Sequence, residues 1–127
     1  MASILVVDDE EMDRILPRSV LEDAGHEVLY APNGRVALRI YQGRDVDLVV
    51  TDLAMPEVDG LLLIRQLREL DPRVRVMAVS GRSRDKLERA EALGAAVTLA
   101  KPYTPAQLLE GIRAALAPAP PPTDLWK

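Results

Sequence analysis

Short apolar runs and longer amphipathic segments alternate along the whole chain. The apolar runs are of strand length, rich in β-branched residues and mostly apolar on both faces, as expected for strands buried in a parallel sheet. The segments between them repeat apolar residues every three or four positions, which is typical of helices packed on one side. The predicted strands are Ser3–Val7, Val28–Ala31, Asp47–Thr51, Arg75–Ser80 and Ala96–Ala100.

The ends of the predicted helices carry local signals. Gly25 and Gly94 follow helical segments, where glycine can adopt the left-handed backbone that closes a helix. The last helix opens with Thr104, Pro105 and Gln107, which form the pattern of a capping box with proline at the first helical position. These signals support the boundaries given by the apolar pattern.

Strand and helix alternate five times, which predicts an α/β domain with parallel strands, right-handed crossovers and helices on both faces. From Ala117 the sequence reads APAPPPTDLWK, which can form neither a helix nor a central strand. We therefore expect one domain over residues 1–117, followed by a Pro-rich tail or linker stub over residues 118–127.

Composition excludes several classes of site. The chain has 127 residues and no cysteine, which rules out zinc–thiolate, iron–sulfur and thiol-based chemistry. The net charge of -4 argues against direct binding to nucleic acid. The N-terminus has neither the basic flank of a signal peptide nor the length of a membrane span. The expected location is the cytoplasm.

Polar residues stand where four of the five predicted strands end. In an open parallel sheet, ligands bind beyond the carboxyl ends of the strands, at the point where the strand order reverses. These side chains are therefore expected to face one crevice. They are Asp8-Asp9 after the first strand, Asp52 at the third, Ser80-Gly81 at the fourth and Lys101-Pro102 at the fifth.

Three carboxylates in one crevice repel each other and need a compensating positive charge. Mg²⁺ suits such a site because it prefers oxygen ligands and accepts one or two carboxylates together with phosphate oxygens. Mg²⁺ and Lys101 would also neutralise charge on a phosphoryl group during its transfer. A carboxylate beside a divalent ion can act as a nucleophile toward phosphorus. The pattern therefore predicts that Asp52 is a phosphate acceptor.

The same residues carry a family resemblance. The stretches ILVVDDEE, TDLAMPEVDG, VS followed by Gly81, and KPY resemble, in order and spacing, bacterial response-regulator receiver domains of the chemotaxis-regulator type. The match runs from about Ile4 to Leu116. It implies a flavodoxin-like, doubly wound sheet with strand order 2-1-3-4-5, five helices and three layers.

The resemblance also implies a role for each site residue. Asp52 would be phosphorylated by a sensor histidine kinase or a phosphotransfer protein. The domain would assist its own phosphorylation and dephosphorylation without acting as an enzyme on external substrates. Mg²⁺ would be bound by Asp9, Asp52, the backbone carbonyl of Ala54 and, directly or through water, Asp8. Ser80 would donate a hydrogen bond to one phosphoryl oxygen, and Lys101 would pair with another.

Two loop features have structural expectations. The resemblance implies a cis peptide bond at Lys101-Pro102, which aims the lysine. Asp59-Gly60 is expected to turn through a positive φ angle before the third helix, because glycine adopts that conformation without strain.

Several positions depart from the family pattern or tune it. Receivers usually carry an aromatic residue three positions before the lysine, where this chain has Thr98, so the usual switching relay is expected to be altered or absent. Ala54 and Arg82 stand where family members tune the lifetime of the phosphoryl group, and we expect a fairly stable phosphorylated form. The start of the fourth helix carries a basic cluster of Arg82, Arg84, Lys86 and Arg89.

That cluster has two interpretations. It is either a solvated helix face or part of an output surface, since the fourth helix and fifth strand are where family members dimerise or bind effectors. Three other functions stay open at this stage. One is a receiver-like interaction domain that is never phosphorylated, and another is a phosphohydrolase of the haloacid-dehalogenase type. The third is a flavodoxin-like nucleotide or flavin binder, although acidic residues after the first strand would repel phosphate.

Overall fold

The computed structural model describes residues 2–8, 18–53, 60–81 and 84–117. Within these residues, five strands form one sheet and five helices cover its two faces, which confirms the predicted α/β architecture. None of the described helices has the length and apolar character needed to span a lipid bilayer. The strands are β1 (Ser3–Val7), β2 (Glu27–Ala31), β3 (Leu48–Asp52), β4 (Val76–Ser80) and β5 (Val97–Ala100). The helices are α1 (described over residues 18–23), α2 (Gly34–Gly43), α3 (Gly60–Leu70), α4 (Arg84–Ala92) and α5 (Pro105–Leu116).

The sheet is parallel throughout and has the strand order β2-β1-β3-β4-β5, as expected from the family resemblance. The chain leaves β1 toward one edge of the sheet to form β2 and then crosses back to form β3 on the other side of β1. The order therefore reverses between β1 and β3, and the crevice of a doubly wound fold opens beyond the carboxyl ends of these strands.

Apolar residues on both faces of the strands fill two separate cores. Leu5 and Val7 of β1 face the core covered by α2, α3 and α4, whereas Ile4 and Val6 face the core covered by α1 and α5. This two-sided burial explains why the strand sequences are apolar almost without alternation. The expected boundary between a domain and a tail stays a prediction, because residues 118–127 lie outside the described residues.

The local signals at the helix ends act as expected. Thr104 Oγ1 accepts a hydrogen bond from the Gln107 amide at 3.1 Å, and Gln107 Oε1 accepts one from the Thr104 amide at 2.9 Å, which completes the capping box. Gly25 and Gly94 have φ angles of 91° and 107°. These conformations are strained for residues with a Cβ atom, which explains the two glycines.

The expectation for Gly60 was wrong. Among the described residues, a positive φ occurs only at Gly25 and Gly94, and Gly60 is the first residue of α3. Its glycine has a different cause, because a Cβ atom at this position would lie 2.4 Å from the carbonyl oxygen of Asp52 and 2.7 Å from the Cα atom of Leu53. Close approach of two backbone segments therefore requires glycine here.

Candidate functional site

Asp52, the last residue of β3, contacts Lys101, which follows β5. The Nζ atom of Lys101 lies 3.0 Å from Oδ2 of Asp52 and donates a hydrogen bond to it. The two side chains are only 12% and 26% exposed, so solvent screens their attraction less than it would on an open surface. The structure thus brings the predicted acceptor and the predicted cation into direct contact.

Lys101 reaches Asp52 across the end of β4. Its amide donates a hydrogen bond to the carbonyl oxygen of Ser80 at 3.0 Å, which ties the residue after β5 to the end of β4. The lysine stem passes over Gly81, where a Cβ atom would lie 3.3 Å from Lys101 Cβ. Gly81 therefore leaves room for the stem. The Lys101-Pro102 peptide bond is cis, as the resemblance implied.

Asp8 follows β1 directly beside Asp52. The last paired residues of these two strands are Val7 and Thr51, so Asp8 and Asp52 leave adjacent strands at the same level. Neighbouring strands lie about 4.8 Å apart, which puts both carboxylates in one crevice. Asp8 is only 6% exposed, and its amide donates a hydrogen bond to the carbonyl oxygen of Ala31 at 3.1 Å. Its backbone is therefore fixed by β2.

Ser80, the last residue of β4, is buried at the same edge of the sheet. Val79 pairs with Asp52 in the register of β3 and β4, so Ser80 lies one residue beyond the level of Asp52. The hydroxyl group of Ser80 therefore lies on the side of Asp52 opposite Asp8. The three neighbouring strands β1, β3 and β4 thus present Asp8, Asp52 and Ser80 in spatial order.

Two residues contact the backbone at Asp52: Thr51, which the sequence analysis did not assign, and Gly60, which it assigned only to a turn. The buried hydroxyl of Thr51 donates a hydrogen bond to the Asp52 carbonyl oxygen at 2.9 Å, and Gly60 approaches the same oxygen from the start of α3. The sequence signal that could have identified Thr51 was a threonine in a buried strand, next to the candidate nucleophile. The contact with Gly60 arises only from the fold.

The donor chemistry of this crevice fits Mg²⁺. Asp8 and Asp52 offer carboxylate oxygens from adjacent strands, and Mg²⁺ prefers oxygen ligands and retains several waters. In the described part of the chain, no group of three or more acidic or histidine side chains could hold a metal ion. Asp9 and Ala54, the other expected ligands, lie outside the described residues. Among the expected ligands, the described residues thus place only Asp8 and Asp52 in this crevice.

The switch position is not aromatic. Thr98 lies on β5, half-buried and paired in register with Ala78. Tyr103 is half-buried against the core that α5 covers. Arg82, the position expected to influence the lifetime of the phosphoryl group, lies outside the described residues.

Comparisons with known proteins agree with this geometry. Residues 4–113 match the family model "Response regulator receiver domain". The chain is 31% identical over 112 residues to the chemotaxis protein CheY of Thermotoga maritima, covering 86% of this chain and 92% of that protein. A crystal structure of a response regulator receiver domain protein from Clostridium thermocellum superposes with a TM-score of 0.86 at 33% identity, covering 91% of this chain and 94% of that one.

A second solved structure is of a metal complex. Response regulator TrrA of Thermotoga maritima, in complex with Mg(2+)-BeF, superposes with a TM-score of 0.84 at 28% identity, covering 91% of this chain and all (100%) of that one. Sequence, fold and the arrangement of strand ends thus point to one family, and the chain belongs to the response regulator receiver domains of two-component signalling.

Proposed function

We propose that this receiver accepts a phosphoryl group on Asp52 in a Mg²⁺-dependent reaction and switches conformation as a result. The observation that carries the proposal is the contact between Asp52 and Lys101, made at the strand end beside Asp8. A lone carboxylate at a strand end would be unremarkable. A carboxylate paired with a lysine from a distant strand, next to a second buried carboxylate, has the groups that phosphoryl transfer requires.

Each residue of the crevice has its own role in the transfer step. An oxygen of Asp52 forms the new bond to phosphorus while the bond from phosphorus to the donor's imidazole nitrogen breaks, and the electron pair leaves with that nitrogen. The ammonium group of Lys101 turns from the carboxylate to a phosphoryl oxygen and neutralises its charge. The hydroxyl of Ser80 donates a hydrogen bond to another phosphoryl oxygen.

A bound Mg²⁺ would screen the negative charge of the carboxylates and of the incoming phosphoryl group. Asp8 and Asp52 would hold it, together with Asp9 and the carbonyl of Ala54. Loss of the group would occur in the same crevice by attack of water, so self-phosphorylation and autodephosphorylation are the activities we propose. Receivers act in signalling, and we propose no turnover of an external substrate.

The partners follow from this chemistry. The phosphoryl donor would be a sensor histidine kinase or a phosphotransfer protein in the cytoplasm. Relatives include both complete small regulators and parts of larger proteins, since the chain spans 92% of the Thermotoga protein but only 10% of the sensor kinase CckA of Brucella abortus. A homodimer through the face of α4 and β5 stays a prediction.

Mass spectrometry tests the acceptor. The intact chain would be incubated with acetyl phosphate and Mg²⁺, and the same reaction would be run with Asp52→Asn and with Asp45→Asn, an exposed aspartate outside the crevice. We expect one phosphoryl group on the native chain and on Asp45→Asn, and none on Asp52→Asn. Equal labelling of the Asp52 variant would refute the proposal. If none of the three proteins is labelled, the result would favour the receiver-like interaction domain. Hydrolysis of a small phosphate ester would favour the phosphohydrolase.

A further inference from the structure

A groove of about 450 Å³ opens between α3 and α4, away from the crevice at the strand ends. Leu62 lies in this α3–α4 groove with 44% of its surface exposed, and among the described residues only Leu62 and Leu70 are large hydrophobics exposed to this degree. A volume of this size accommodates several apolar side chains, since small-molecule clefts measure roughly 300–1,000 Å³. The groove is lined by Leu61, Leu62, Arg65, Arg89, Ala92 and Leu93.

The charge of the α3–α4 groove is opposite to that of the chain. Two arginines and no acidic residue line the groove, although the whole chain has a net charge of -4. Neither Arg65 nor Arg89 forms an ion pair or a side-chain hydrogen bond with any residue that the structure describes. Two cations beside exposed aliphatic surface attract carboxylates and favour a ligand that is both apolar and acidic.

A second copy of this chain does not meet that requirement. A two-fold contact through the groove would bring the same patch of both copies together, so that Arg65 and Arg89 of both copies would share one interface without an acidic residue from the groove lining. Like charges in such a contact cost free energy. The complementary occupant is therefore a different protein segment that carries carboxylates.

The shape of the groove indicates the form of that segment. Two neighbouring helices present a furrow into which the ridge of a third helix can pack. A helix with apolar residues on one face would fill the furrow, and acidic residues along the edges of that face would meet the arginines. We propose that the α3–α4 groove is a docking surface for an acidic amphipathic helix of a partner protein.

Docking at this place goes beyond phosphoryl transfer and does not depend on it, because none of the residues that line the groove belongs to the crevice at the strand ends. It also differs from the face of α4 and β5 considered above. The groove uses the side of α4 that faces α3, and Leu61 and Leu62 of α3 belong to its apolar lining.

A peptide library tests the proposal without knowledge of the partner. Helical peptides with randomised surface residues would be displayed and selected on the immobilised full chain. We expect enrichment of peptides with leucine or isoleucine at helical spacing and with glutamate or aspartate at the edges. Amide chemical shifts of the ¹⁵N-labelled chain should then change around Leu62 and Leu93 when a selected peptide is added.

Matched variants locate the site. We expect Leu62→Asp, and Arg65→Glu combined with Arg89→Glu, to weaken peptide binding at least tenfold. Leu70→Asp is the control, because Leu70 is 48% exposed on the same helix but does not line the groove. A peptide with lysine in place of its acidic residues should bind the double arginine variant better than the native chain.

Three results would overturn the proposal. They are selected peptides without acidic enrichment, shift changes confined to another surface, and equal binding by Leu62→Asp and the native chain. Deletion of residues 118–127 tests whether the chain's own tail occupies the groove. If it does, removal of the tail should change the amide shifts around Leu62 and strengthen peptide binding. We expect neither effect.

Discussion

The ammonium nitrogen of Lys101 lies 3.0 Å from Oδ2 of Asp52, although the residues are 49 positions apart and β4 lies between their strands. Three features of the fold produce this contact. The parallel sheet brings both strand ends to one edge, the Lys101 amide is anchored on the Ser80 carbonyl, and Gly81 leaves space for the lysine stem.

Replacing Lys101 with glutamine should slow phosphorylation of Asp52 by roughly 10²-fold, because loss of a preorganised charge partner typically costs that much in rate. The measurement is the initial rate of mass gain with acetyl phosphate and Mg²⁺, and circular dichroism checks that the variant is folded. Lys86→Gln, on α4, is the control and should react like the native chain. A native rate for the Lys101 variant would remove this residue from the mechanism.

Replacing Asp8 with asparagine should have opposite effects with and without Mg²⁺. Asp8 is buried beside Asp52, and removal of one of two neighbouring negative charges should raise the free energy of unfolding by roughly 1 kcal/mol in the absence of metal. The same change removes a proposed magnesium ligand, so added Mg²⁺ should stabilise the variant less than the native chain. Urea unfolding with Mg²⁺ or with a chelator measures both effects, and equal stabilisation of the two proteins by Mg²⁺ would contradict the assigned ligand.

Replacing Gly60 with alanine should destabilise the fold by roughly 1–3 kcal/mol, because the new Cβ atom would overlap the backbone of Asp52 and Leu53. The displaced acceptor should also be phosphorylated more slowly than in the native chain.

Gly43→Ala provides the control for Gly60→Ala. It lies at the end of α2 with no atom within 4 Å of the added Cβ, and it should be neutral or stabilising by about 0.5–1 kcal/mol. Urea unfolding curves of the two variants test the comparison. A neutral Gly60→Ala variant would show that the two backbone segments can separate without cost.

Replacing Tyr41 with phenylalanine should raise the pKa of Asp71. The hydroxyl of Tyr41 donates a hydrogen bond of 2.7 Å to Asp71 Oδ2, and this bond, helped by the Arg73 amide, lowers the pKa of Asp71 below its ordinary value of 3.8. Burial, together with the same hydrogen bond and the nearby carboxylate charge, raises the pKa of Tyr41.

The sign of the effect on stability follows from this shift. A carboxyl group with a lowered pKa in the folded state contributes stability above pH 3.8, and that contribution is lost as the pH falls through the lowered value. The free energy of unfolding of the native chain should therefore exceed that of Tyr41→Phe by less in that acidic range than above it. Carbon-detected NMR titration of Asp71 measures the pKa directly, with exposed Asp45 as the internal control, and an unchanged Asp71 pKa would contradict the assigned cause.

Much of the fold could be predicted from sequence because its signals are local. Runs such as Ser3–Val7 are apolar on both faces only when helices cover both sides of a sheet, and this strand was predicted with the observed bounds. The capping box at Thr104 uses residues three positions apart. Strand ends could likewise be found by inspection, so the aspartates, serine and lysine of the crevice were proposed from their places in the order of elements.

Contacts between distant segments were decided only by tertiary structure. The role of Gly60 was misjudged because its neighbour in space, the carbonyl of Asp52, cannot be identified from a local turn pattern. The bond between Tyr41 and Asp71 joins positions 30 residues apart, and the α3–α4 groove depends on how two helices lie on the sheet. The sequence alone determined which elements form and which chemical groups stand at their ends, since both follow from short-range periodicity. Packing decided which of those groups touch, because a contact depends on register and helix placement that no single segment encodes.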